Sequence, residues 1–393
     1  MTTSAFPARA LWSLSLTYFI VGTSSLSVVG LVDPMASALG VSVSLIAILV
    51  TVFALTFAAA ALGGQMLGGG MAPKRLMLAG FGVLAFGTLL GAVAPNYPVM
   101  VASRIIMAIG AAVIGPVAST IGGNLVQPEK RGAALSIVFS GMTIAAVAGV
   151  PITNLLGTYV GWRTALALIA LAGLLSAALI WRVVPETATR PAPTFQDFKR
   201  LLGRPAITWA LIASALHMAC QFVSYSLIGP LLVQRYGVAV AWVPLGLFVY
   251  GIGGVAGNAV SGALSDKLGA GRVTTGCLSA MIVLLLTLWL MPAWPIAVIM
   301  VMAVWSTVGL AFFAPNQMHL VAHAGRDAGI VLALNASALY VGMSMGAALS
   351  AILYELAGAP ILPLGSAMVA ILGLLCYRQA LKPQPTTTQP AST

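Results

Sequence analysis

The sequence predicts an all-α polytopic membrane protein, with twelve transmembrane helices in two pseudo-symmetric bundles of six. Three observations predict it. First, only 6% of the 393 residues are charged and 60% are hydrophobic, whereas a soluble domain keeps about a quarter of its residues charged. Second, the apolar runs are about 20 residues long, the length a helix needs to cross roughly 30 Å of hydrocarbon. Third, nearly all the charges fall between these runs. Lipid is then the solvent, and the backbone must satisfy itself within helices.

In chain order the runs cover 11–33, 43–68, 75–94, 97–121, 132–157, 163–183, 207–233, 240–264, 273–292, 294–317, 328–354 and 359–379. Asp33 closes the first run on its outer side. Gly40-Val41 opens the second and Arg75 the third. Arg104 lies inside the fourth, and Gly149 and Pro151 lie inside the fifth, where Pro is expected to bend the helix. The segment 184–206 interrupts the pattern with charges and prolines. Within it, Thr194 and Asp197 form a helix-start signal. Phe195, Phe198, Leu201 and Leu202 then recur at helical spacing, which predicts a short amphipathic helix on the membrane surface. Gly237-Val238 opens the eighth run, Asp266-Lys267 follows it, and Arg272 begins the ninth. The domain reading is therefore residues 1–183 as one bundle, 184–206 as a linker, 207–382 as a second bundle, and 383–393 as a disordered tail.

The net charge of +11 would suit nucleic acid, but its distribution argues for topology instead. With the N-terminus inside, fifteen Lys and Arg residues face the cytoplasm and only Arg163 and Arg235 face outward. The positive-inside rule then places both termini in the cytoplasm. The first run has full spanning length, so no cleavable signal is read there. Cys220, Cys277 and Cys376 all fall within runs, which implies no disulfide. No metal-ligand spacing, Walker loop or nucleophile elbow is present, so no cofactor and no enzymatic activity are expected.

The halves repeat. Gly237-Val238 follows Gly40-Val41 by 197 residues, and Arg272 follows Arg75 by the same interval. Parallel six-helix repeats with a midplane site between them are a known transporter plan.

Several stretches resemble the major facilitator superfamily, in particular its twelve-helix drug:proton antiporter branch and the bacterial sugar, nucleoside and drug efflux permeases. The first span carries Gly22-Thr23, Gly30-Leu31 and Leu39-Gly40-Val41-Ser42. Gly262 to Arg272 resembles the family's loop motif G-x-x-x-D-R/K-x-G-x-R/K. Arg104 to Gly110 is similar to its R-x-x-x-G-x-G segment, with Ala108 in place of one Gly. Gly149-Val150-Pro151 is similar to its antiporter motif, and Asn335 to Gly346 fits its eleventh span. Two departures stand out. Gly69 replaces the acid in the first-half loop motif, and Ser24-Ser25 replaces a Glu that several relatives carry in the first span. The resemblance implies solute transport by alternating access, with proton coupling inherited from the family more than from these residues.

Candidate residues follow. Arg104 is costly in a span unless it faces the protein interior with a partner. Asp33 is the acid nearest that depth, and the two are read either as a proton-coupling pair or as a static ion pair. His217, near midplane, is a second coupling candidate or a neutral helix-bonding group. Tyr18, Ser25, Gln221, Tyr225, Asn335 and Tyr340 are polar groups in apolar spans, available for substrate or for helix–helix hydrogen bonds. The resemblance implies gating by Asp266, Lys267 and Arg272, with the start of the fifth span near Arg131 as the target of Asp266. It also implies a leak-blocking role for Gly149 and Pro151. The expected protein is a monomeric carrier in a bacterial inner membrane, exporting a small organic solute against protons. A proton-linked or facilitated uptake carrier, and a non-transporting membrane sensor or lipid-handling protein, are the alternatives.

Overall fold

The computed structural model describes residues 7–67, 71–127, 130–186 and 194–382. The tail 383–393, linker residues 187–193 and Gly69 lie outside the described residues. The first half contains α1 (Ala8–Leu26), α2 (Val32–Leu39), α3 (Val43–Leu67), α4 (Pro73–Ala92), α5 (Tyr97–Asn124), α6 (Arg131–Ile144), α7 (Val150–Tyr159) and α8 (Trp162–Val183). The linker contributes α9 (Phe195–Leu202). The second half contains α10 (Pro205–Tyr225), α11 (Ile228–Pro230), α12 (Val243–Leu268), α13 (Ala270–Leu290), α14 (Pro295–Ala311), α15 (Phe313–Ala324), α16 (Ala328–Ala357) and α17 (Leu362–Ala380).

Eleven helical segments among the described residues are long and apolar enough to cross a membrane. The remaining span is α1, which is 19 residues long. Its hydropathy is lowered by Ser13, Ser15, Thr17 and Thr23 to Ser25, all buried inside the protein rather than shown to lipid.

Four of the expected runs are interrupted, the tenth only by a one-residue break at Phe312 between α14 and α15. The first ends as helix at Leu26 and resumes at Val32, so Asp33 begins a new short helix rather than ending the first span. Pro34 cannot donate to the Gly30 carbonyl, and Asn154 Nδ2 supplies that bond from the fifth span at 2.7 Å. The seventh run breaks similarly: α10 stops at Tyr225, and the short α11 and a π turn, Leu231–Arg235, follow. The fifth run contains a π turn at Ala145–Gly149 immediately before Pro151. A widened turn there accommodates the missing proline donor without ending the span.

The duplication is visible in the backbone. Gly40 and Gly237 both adopt left-handed φ, at 64° and 68°. Gly161 and Gly358 repeat the same 197-residue interval at φ 88° and 72°. Side chains rarely adopt this region, so only Gly serves at these corners without strain. Close packing is repeated too. A Cβ on Gly141 would strike the Ser15 carbonyl of α1, and one on Gly342 would strike the Ala215 carbonyl of α10.

The core is distributed unevenly along the spans. At the end away from the termini, hereafter distal, one apolar core draws on both halves, from Val28, Leu49 and Trp162 to Tyr225, Trp305 and Met343. At the end bearing the termini the core divides. One part belongs to the first half, around Leu11, Met77 and Ile121. The other belongs to the second half, around Leu211, Leu278 and Tyr377. The halves are therefore fused distally and packed separately at the terminal end.

The linker helix α9 starts at a capping box: the Asp197 amide donates to Thr194 Oγ1 at 3.4 Å, and the Thr194 amide donates to Asp197 Oδ2 at 3.0 Å. These bonds, with Arg200 close by, hold the Asp197 carboxyl below its ordinary range. Phe198 and Leu201 are buried while Phe195 stays exposed. Arg200 bridges Asp197 and Asp327, each at 3.1 Å, tying the linker to the second half. Trp294 is exposed at a span end, as an interfacial anchor would be. Trp162, at the start of the sixth span, is buried under Arg163, whose guanidinium carbon lies 4.2 Å from its ring centroid.

Candidate substrate path and coupling residues

Arg104 is 1% exposed and sits on α5 beside the end of α1. Its Nη2 donates to Ser25 O at 2.9 Å, and its Nη1 to Ser24 O at 3.1 Å and Ser27 Oγ at 3.3 Å. Its Nε donates to Leu49 O at 3.4 Å, and the guanidinium stacks 4.5 Å from the Phe53 ring centroid. The last carbonyls of any helix lack intrahelical donors and carry the negative end of its dipole. Arg104 is thus neutralised by a helix end, and the expected pairing with Asp33 does not form. The reason is the break after Leu26. The Ser24 and Ser25 carbonyls at that break turn to Arg104, while the chain carries Asp33 onward to the first turn of α2.

Asp33 instead faces the second half. A Cβ on Gly229 would lie 3.7 Å from its Oδ2. It lines a distal cavity of about 200 Å³ shared by both halves, with Asn154, Thr158 and Gln234 among the walls.

Along the seam between halves, α3 runs against α16. Tyr340 stacks on Phe57 with ring centroids 3.7 Å apart. Tyr340 and Tyr18 pack against the same core of the first half, within reach of the Ser25 hydroxyl of α1. The Tyr18 hydroxyl donates to Gly115 O at 3.0 Å and pairs with Ser119 Oγ at 2.7 Å. Three of the six polar candidates, Tyr18, Ser25 and Tyr340, therefore converge where the two halves meet.

Gln221 and Tyr225 form a second group in the other half. Tyr225 stacks on Tyr250 at 4.8 Å, and Tyr250 meets the Trp305 edge at 5.1 Å. The Tyr250 hydroxyl donates to Gln221 Oε1 at 3.4 Å. Gly309 leaves the room that the Gln221 amide occupies. His217 stacks on Phe312 at 3.9 Å, and its Nε2 donates to Gly309 O at 2.9 Å. Its Nδ1 is then an acceptor, and it has no partner among the described residues, nor has Trp305 Nε1. Asn335 sits apart from this group: its Oδ1 accepts from Ser214 Oγ at 2.7 Å, and Asn316 Nδ2 donates to the same hydroxyl at 2.7 Å.

Gly149 and Pro151 flank the end of the π turn, between α1 and α12. A Cβ on Gly149 would collide with Thr23, and one on Gly251 of α12 would collide with the Val147 backbone. At the terminal end, Asp266, Lys267 and Arg272 are exposed, and among the described residues none of them forms an ion pair. The Arg131 side chain lies outside the described residues.

Reading the sequence missed Phe53, Phe57, Tyr250 and Trp305. One signal was present: Tyr250 follows Phe53 by the same 197 residues as the duplicated glycines. The two positions are equivalent, one stacking on Arg104 and the other meeting Trp305.

Two helical halves fused at one end and separated at the other, with polar groups gathered at their junction, define a polytopic carrier. The family model of the Major Facilitator Superfamily matches residues 14–347, and the chain belongs to that superfamily. It is 26% identical over 378 residues to the Inner membrane transport protein YdhP of Escherichia coli (strain K12), covering 96% of this chain and 97% of that protein. It is 34% identical over 266 residues to a Chloramphenicol resistance protein of Streptomyces lividans, covering 65% and 67%. It is 28% identical over 346 residues to YbcL of Bacillus subtilis (strain 168), an MFS-type transporter, covering 88% of each. Among solved structures, a bacterial homolog of the human lysosomal transporter Spinster superposes with a TM-score of 0.76 at 16% identity, covering 96% of this chain and 98% of that one. The chain is therefore a multi-pass membrane protein and a secondary transporter of small molecules, not an enzyme.

Proposed function

We propose that this transporter exports a small neutral or weakly charged organic solute from the bacterial cytoplasm across the inner membrane in exchange for protons. It acts as a monomer with both termini cytoplasmic. The observation that carries the alternating-access reading is the divided core: one shared core distally, two separate cores at the terminal end. With the termini inside, this is the state that accepts solute from the cytoplasm. The basic residues crowded at that end support the orientation. The likeness to a chloramphenicol resistance protein supports export, and the likeness to an inner membrane transport protein supports the location.

In this reading Gln221 and Tyr225, with Tyr250 and Trp305, offer the solute an aromatic wall with few polar contacts. Tyr18, Ser25 and Tyr340 meet it from the seam, and Asn335 shapes the path from the side. Arg104 holds the end of α1 rigid. Asp33, open to the distal cavity, binds and releases the proton, with His217 as the second titratable group on the route. Asp266, Lys267 and Arg272 stand ready to close the cytoplasmic side against the start of α6 at Arg131, and the turn at Gly149 and Pro151 seals the path toward α12.

The test is a flux assay in proteoliposomes with sugars, nucleosides and chloramphenicol, with and without an imposed pH gradient. Saturable, gradient-dependent flux of one class is expected, with Asp33→Asn uncoupled from protons. Flux that is indifferent to the gradient, or normal proton coupling in Asp33→Asn, would overturn the antiport assignment.

A further inference from the structure

The distal end carries two acids, Asp33 and Glu355, and two basic residues, Arg163 and Arg235, and they do not pair. Each Arg stays within its own half. Arg163 donates to Ala94 O at 2.9 Å, and Arg235 donates to Met291 O at 3.2 Å. Both acids sit on the seam and reach the opposite half. Asp33 faces Gly229, and Glu355, at the end of α16, accepts a hydrogen bond from Ser44 at the start of α3.

Both partners of this second contact are anchored. Next to Ser44, the Leu45 carbonyl accepts from the Tyr97 hydroxyl of the first half at 2.8 Å. Beside Glu355, the Tyr354 hydroxyl pairs with Gln234 of the second half at 2.9 Å. The Ser44–Glu355 bond therefore reports the position of one half against the other, not the wandering of two loose side chains.

The geometry gives the bond leverage. From the centre outward, α3 and α16 touch at Phe57–Tyr340, then where the Thr51 hydroxyl donates to Ser344 O at 3.3 Å, then at Ser44–Glu355. Ser44 lies about 20 Å along α3 from Phe57. Rocking by about 10° around the Phe57 contact moves that end by roughly 3.5 Å, more than a hydrogen bond tolerates. The pseudo-symmetric seam, α12 against the fifth span, has its own acid at the opposite end, Asp266, which forms no ion pair among the described residues while the distal bond is made.

We propose that Ser44 and Glu355 form a distal clasp, a positioning pair that holds the distal side shut while the terminal side is open and that breaks when the halves rock. The proposal rests on the alternating-access reading above.

The test uses the full-length chain in liposomes with a cysteine at Ser344, which is 6% exposed on the seam. Cys376, the native cysteine that is not buried, is replaced by Ser. The rate at which a membrane-impermeant thiol reagent labels Ser344→Cys from the distal side reads the open fraction, even when that fraction is small. Glu355→Ala and Ser44→Ala should each speed labelling about tenfold, the weight of one charge-assisted hydrogen bond. The double variant should be no faster than either single one. Glu355→Gln, which keeps an acceptor oxygen, should move the rate less. A rate within twofold of the parent in Glu355→Ala, or additive effects in the double variant, would overturn the clasp. Solute flux in the same liposomes tests the carrier reading separately: absent flux with Glu355-dependent labelling counts against transport and leaves the clasp standing.

Discussion

The Arg104 guanidinium donates to the Ser25 carbonyl at 2.9 Å, so a charge on the fourth span closes the end of the first helix. Arg104→Ala leaves the buried Ser25 carbonyl without this donor and removes the guanidinium packed on Phe53, and the expected loss is about 2 kcal/mol of stability. Arg104→Lys keeps the charge but cannot reach Ser24, Ser25 and Leu49 together, so it should recover only part of that loss. Thermal unfolding in detergent measures both. Equal stability of Arg104→Ala and the parent would contradict the capping role.

Gly251 meets the Val147 backbone across the seam. Gly251→Val should force α12 away from the π turn while leaving each half folded. The expected outcome is a turnover rate reduced at least tenfold with little change in KM, because the rocking step is hindered rather than solute binding. A variant with unchanged turnover would show that this contact is not part of the moving interface.

Gln221 occupies the space that Gly309 leaves open. Gln221→Ala should raise the solute KM about tenfold, the weight of one or two lost hydrogen bonds. Gly309→Ala should do the same indirectly by displacing the amide. If Gly309→Ala raises KM and Gln221→Ala does not, the solute is bound elsewhere.

The α9 cap depends on ionised Asp197. Its carboxyl is held below the ordinary value of 3.8 by the Thr194 bonds and Arg200. A depressed value stabilises the fold at pH above the unfolded value, and the contribution fades as pH falls through the folded one. The hydrogen-exchange protection factors at residues 195–202, measured against the intrinsic rate at each pH, should therefore be constant from neutral pH down to about 4 and fall below. Thr194→Ala should exchange faster even at neutral pH, because the N-cap acceptor is gone.

Much of this protein was legible as sequence because lipid imposes simple rules. Run length set the spans, and the placement of Lys and Arg divided one end of the chain from the other. Glycines at one fixed interval disclosed the duplication, and Gly40 and Gly237 do take up equivalent left-handed corners. The Thr194-x-x-Asp197 signal marked the start of α9 because a capping box is local. The candidate site was less legible. Tyr18, Ser25 and Tyr340 were found as polar residues in apolar spans, but nothing local could tell that they meet each other while Asn335 turns to Ser214.

The partner of Arg104 was likewise beyond the sequence. Scarcity of charge required that Arg104 be buried and neutralised, and counting acids pointed to Asp33. The structure supplied a partner that no residue count contains, the Ser24 and Ser25 carbonyls at a helix end, and carried Asp33 past it to the opposite half. Hydropathy and spacing are properties of segments, and they determined the spans and the repeat. Which polar groups meet, which end of the seam is closed, and that Glu355 touches Ser44 are properties of helices packed against one another. Those the tertiary structure alone decided.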